Sequence, residues 1–99
     1  MRPNIAQKPS DLSLGEGETA TLECVASGHP KPTITWLRND LALPLGDPRL
    51  RVNRGDGTLT IGELQTTDRG IYRCMASNEL GTVSEFARLE VFGESIHTV

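Results

Sequence analysis

Aromatic residues are scarce in this chain: one Trp, one Tyr and two Phe, 4% of 99 residues. Each aromatic therefore stands alone in the sequence, and its position carries information. Histidine is rarer still, with only His29 and His97. Neither has an evident partner to act as base or orienting group, so nucleophilic catalysis is not expected. There are two cysteines, Cys24 and Cys74, which allow one intramolecular pairing. No apolar run reaches the roughly eighteen residues that a membrane span requires. No signal-peptide pattern is visible, and Met1 passes at once into strand-like sequence, as in a module cut from a longer chain. No Asn-x-Ser/Thr sequon occurs at Asn4, Asn39, Asn53 or Asn78, which is neutral for a secreted protein. Positive charge is not in excess, since the formal net charge is −3. That argues against nucleic acid and anionic membrane as default partners. Internal repeats, low-complexity tracts and helical stripes are absent as well.

What the chain has instead is alternation. After the turn Gly15-Glu16-Gly17-Glu18, the residues Ala20, Leu22 and Cys24 alternate with Thr21, Glu23 and Val25, so the first set faces inward on one strand. Gly28-His29-Pro30-Lys31-Pro32 is a loop stiffened by two prolines. Ile34 and Trp36 then face inward on the next strand, which Asn39-Asp40 ends in a tight turn. Leu41 to Pro44 reads as a short edge strand stopped by the proline. Leu50 to Asn53 reads as another, and Asp56-Gly57 signals a hairpin into Thr58–Ile61. Leu64 lies beneath the following corner. Tyr72, Cys74 and Ala76 face inward, Asn78–Gly81 forms a hairpin, and Ala87, Leu89 and Val91 are buried by the last strand. Eight or nine short strands with turns every eight to twelve residues predict an all-β two-sheet sandwich over residues 1–92. Residues 93–99 lose the pattern and read as a linker or the start of a following module.

One constellation narrows the sandwich further: Cys24, then Trp36, then Asp68-Arg69-Gly70-Ile71-Tyr72-Arg73-Cys74. Together with Leu14–Glu18, Gly28–Pro32, Gly57–Ile61, Ala76-Ser77-Asn78 and Leu89-x-Val91, it resembles the intermediate-set (I-set) immunoglobulin domains over residues 3–92. Trp36–Asn39, Asp47-Pro48-Arg49 and Gly70–Ala76 carry a likeness to repeats of peroxidasin-type and hemicentin-type tandem-immunoglobulin matrix and adhesion proteins.

The resemblance implies a Greek-key immunoglobulin sandwich. In it Cys24 and Cys74 form a disulfide across the core, Trp36 packs on the bridge, and Tyr72 makes a tyrosine corner. Committed to the core, the cysteines are not metal ligands. The other state open to the pair is two buried thiols, as in muscle immunoglobulin domains, so redox compartment separates an extracellular module from an intracellular sarcomeric or cytoskeletal one. Asp68 at the E–F corner is expected to pair with Arg49 or Arg51. The resemblance implies a non-catalytic bead in a tandem array, with no cofactor, that contacts neighbouring immunoglobulin domains or other proteins.

Three surface features qualify as candidate sites. Arg54-Gly55-Asp56 is the integrin-binding tripeptide, placed here beside an ordinary hairpin turn. Arg49, Arg51 and Arg54 form a small basic cluster; alternate spacing places Arg49 and Arg51 on one face, where heparan sulfate would bind. The third is the outward face of the sheet holding strands C, F and G. With Trp36 and Cys74 inward, Leu37, Ile71, Arg73 and Met75 point out, and Phe86 joins them unless a bulge in strand G turns it inward. An exposed apolar patch with an arginine in it marks protein–protein contact, including weak self-association.

Overall fold

The computed structural model describes residues 1–44, 46–53 and 55–93. Within them the chain forms β1 (Asn4–Gln7), β2 (Leu12–Gly15), β3 (Ala20–Leu22), β4 (Val25–Ser27), β5 (Thr33–Arg38) and β6 (Leu41–Ala42). These are followed by β7 (Leu50–Val52), β8 (Leu59–Ile61), a single 3-10 turn (Thr66–Asp68), β9 (Gly70–Asn78) and β10 (Gly81–Phe92). One sheet runs β2-β10-β9-β5-β6, a second runs β3-β8-β7, and β1 pairs with β4.

Among the described residues the strands number ten, against eight or nine expected, because two chain paths are each split. The first is broken around the buried Pro9, which has no N–H to give a ladder. Before it, β1 runs antiparallel to β4; after it, β2 runs parallel to β10. The second path breaks at Glu23–Cys24, where β3 pairs with β8 and β4 with β1. Edge elements are shorter than the alternation suggested. Strand β6 stops at Ala42 because Leu43 turns into the core, only 8% exposed. Strand β7 stops at Val52 because the Asn53 side chain accepts hydrogen bonds from the Gly55 and Asp56 N–H groups.

The inward set is as the alternation requires. Ala20, Leu22, Cys24, Trp36, Leu64, Tyr72, Cys74, Ala76, Ala87, Leu89 and Val91 are all buried, and Ile34 packs half-buried at the margin. Cys24 and Cys74 are joined with their Cα atoms 6.5 Å apart and fifty positions between them. Closing a loop of that length stabilises the fold by roughly 4 kcal/mol through the unfolded chain. Trp36 lies opposite Cys74 in the β5–β9 pairing, and its Nε1 donates to the Gly57 carbonyl at 2.7 Å. Position 57 needs glycine for its own reasons: it has φ +87°, and a Cβ there would stand 2.7 Å from Ile34 Cγ1.

The E–F corner is fixed from two sides. The Tyr72 hydroxyl donates to the Asp68 carbonyl at 2.5 Å, which makes the tyrosine corner. Burial pushes the phenol above its ordinary range. The Asp68 side chain, 4% exposed, is held by Arg49 through two hydrogen bonds of 2.8 and 3.1 Å and by the Gln65 N–H at 2.8 Å. Of the two arginines expected as its partner, Arg49 is the one that pairs.

Candidate functional site

The outward face of β5, β9 and β10 follows from the register. Leu37 lies opposite Arg73, and Arg73 opposite Phe86, so the three form one row across the sheet. Thr35, Met75 and Ser84 form the adjacent row. The β9–β10 pairing runs without a bulge from Gly81–Asn78 to Leu89–Gly70. Phe86 consequently points outward and is 54% exposed; Ile71 is 37% exposed, and Leu37, Arg73 and Met75 are half-buried. All five residues expected on this face are there.

Arg73 is the centre of the face. Its guanidinium stacks over the Phe86 ring, 5.5 Å from the centroid. One terminal nitrogen reaches Asp40 Oδ1 at 3.8 Å. Among the described residues, its Nε is buried with no hydrogen-bond partner. Asp40 is not a residue that alternation places on this face. It is brought there by a two-residue turn, in which Asn39 and Asp40 both have positive φ (51° and 66°) between β5 and β6. Asn39 fastens this turn to β9: its N–H donates to the Ile71 carbonyl at 2.8 Å and its Oδ1 accepts the Ile71 N–H at 2.9 Å. Gly70 makes room, since a Cβ there would stand 2.8 Å from Asn39 Nδ2. Asn39, Asp40, Ile71, Arg73 and Phe86 together line a hollow of about 310 Å³.

The other candidates do not assemble as cleanly. Arg49 and Arg51 do not form a basic stripe. Arg49 precedes β7, in the turn rather than on the strand, so alternation does not govern it. Its guanidinium is taken by Asp68 and by Asp47 at 3.1 Å, which leaves Arg51 exposed on its own. Arg54 lies outside the described residues. In the rest of its tripeptide, Asp56 Oδ1 accepts the Thr58 N–H at 2.9 Å, and that bond holds the carboxyl below its usual range. Among the described residues no group of three His, Cys, Asp or Glu side chains is placed to hold a metal ion, and no helix is long and apolar enough to cross a membrane. His29 is exposed, and His97 lies outside the described residues.

The immunoglobulin I-set domain family matches residues 3–91, nearly the whole chain. The chain belongs to that family. Peroxidasin homolog of Homo sapiens is 45% identical over 94 residues, which are 93% of this chain and 6% of that protein. Contactin-4 of Rattus norvegicus is 38% identical over 97 residues, 95% of this chain and 9% of that protein. This I-set chain thus spans less than a tenth of either relative. The crystal structure of the titin M3 domain superposes with a TM-score of 0.84 at 31% identity, over 92% of this chain and 97% of that one. The family accounts for the invested core geometry, and the fold it brings is generally non-catalytic.

Proposed function

We propose that the chain is a non-catalytic immunoglobulin module of a multidomain extracellular adhesion or matrix protein. Residues 1–92 form one repeat, residues 93–99 lead out of it, and the module serves as spacer and protein-docking surface. The observation that carries the docking role is the face of Leu37, Ile71, Met75 and Phe86 around Arg73. Four of its side chains are apolar, Arg88 lies beside Ile71 at its margin, the Arg73–Asp40 contact is long at 3.8 Å, and interface cores favour aromatic residues, Met and Arg. An outside location is supported by the Cys24–Cys74 bridge, which persists in oxidising compartments, and by relatives that are extracellular or cell-surface proteins. Integrin and heparan sulfate gain no support from the geometry: Arg54 lies outside the described residues, and Arg49 is paired with Asp68 and Asp47.

The likeness to titin M3 favours a second reading, an intracellular sarcomeric module. Immunostaining separates the two. An antibody to this domain should label unpermeabilised cells that make the natural protein, or the matrix around them. Labelling only after permeabilisation would reverse the assignment.

A further inference from the structure

We infer that the occupant of the β5–β9–β10 face is a second copy of this chain, docked about a two-fold axis so that Asp40 and Arg73 exchange partners between copies. The inference rests on the docking role proposed above and names its partner. A two-fold contact is self-complementary: where residue i of one copy meets residue j of the other, j must also meet i. The face carries both charges such a contact needs, with an exposed ring beside a hollow. Asp40 and Arg73 stand side by side, their own contact is long at 3.8 Å, and the Asp40 side chain is 79% exposed. Asp40 is therefore free to meet the Arg73 of a second copy across the axis at shorter range, while Arg73 stays stacked on its own Phe86 with its terminal nitrogens toward the partner. Phe86 projects beside the hollow that Ile71, Asn39 and Asp40 complete, so knob and socket are neighbours on one surface. The Phe86 ring of each copy fills the other's socket.

The Asp40 turn is fixed in advance. Two Asn39 hydrogen bonds to Ile71 hold it against β9, so little order has to be gained on contact. The central rows add Leu37, Met75, Thr35 and Ser84, none of them charged. The net charge of −3 opposes association of copies at long range. A patch of this kind, with that repulsion, gives a weak, transient dimer.

Sedimentation equilibrium on the 99-residue chain tests the inference. The wild type should show a reversible monomer–dimer equilibrium below 1 mM. Asp40→Arg and Arg73→Asp, each alone, should weaken the dimer by about tenfold or more, because each sets like charges face to face. An equimolar mixture of the two variants should regain the dimer, since both contacts are then again between opposite charges. Should Arg73→Asp fail to fold, because Arg73 Nε is buried, Asp40→Arg and Phe86→Asp carry the test, and each must weaken the dimer to the same degree. A wild type that stays monomeric at 1 mM removes the second copy as occupant but leaves the docking face. A dimer indifferent to Asp40→Arg and Phe86→Asp uses another surface and removes the face as well. Single variants that weaken without rescue in the mixture overturn the exchange of partners.

Discussion

Replacing Trp36 with alanine is expected to lower the stability of the domain by about 3–5 kcal/mol, the usual penalty for deleting a buried aromatic. Trp36 is 4% exposed and lies opposite Cys74, so truncation opens a cavity against the disulfide. The substitution also strips the Gly57 carbonyl of its donor, and that carbonyl sits in a turn shaped to receive the indole. Trp36→Phe should lie between the two, retaining most of the packing while losing the hydrogen bond, which is worth about 1 kcal/mol. Urea unfolding gives both values from the shift in midpoint at constant slope. A loss below about 1 kcal/mol for the alanine variant would show that the ring does not support the bridge.

The second large effect is expected at Asp68. Asp68→Asn should cost about 3–5 kcal/mol, the scale for removing one partner of a buried ion pair. Arg49 would be left with its hydrogen bonds to the Gly62 and Glu63 carbonyls and its pairing with Asp47, but without its buried counter-charge. The same group makes stability depend on pH. Burial pushes the Asp68 carboxyl up, but the Arg49 guanidinium and the Gln65 N–H outweigh it, with Arg38 3.6 Å away, and the net position is below the usual carboxylate range. A carboxyl depressed in the folded state stabilises above its unfolded pKa of about 3.9, and that contribution disappears as pH falls through the folded value. Wild type should lose stability steeply below about pH 4, and Asp68→Asn should lose it with a shallower slope. Parallel slopes would mean that Asp68 does not carry the acid sensitivity. Asp47 and Asp56 are depressed too, through N–H groups of Arg49 and Thr58, and they shift the slope of both proteins in the same direction.

The fold was largely legible because its signals are strict. A period of two assigns Ala20, Leu22 and Cys24 to the core, and the same rule assigns Tyr72, Cys74 and Ala76. The outward face was legible by subtraction, since a residue between two inward ones must point out. What stayed hidden were features that alternation does not describe. Nothing in the alternation of the first fifteen residues told that the chain would change sheets around Pro9. Asn39-Asp40 could be read as a turn, yet the aim of Asp40 toward Arg73 depends on two positive φ angles and the fastening of Asn39 to β9. Arg49 looked like part of a strand stripe, and its inward commitment came from Asp47 and Asp68, residues 2 and 19 positions away. Spacing finds neighbours along a strand; it does not find side chains that meet across a corner.

The most direct measurement is the intact mass of the domain, isolated from the cells or matrix in which the natural protein resides, after alkylation under denaturing, non-reducing conditions. A bridged Cys24–Cys74 pair, the state expected of an extracellular staple, leaves the mass unchanged, and prior reduction then adds two alkyl groups. A gain of two alkyl groups without reduction would contradict the account, because the natural protein would then hold its core around two thiols, in a compartment where the proposed role has no place.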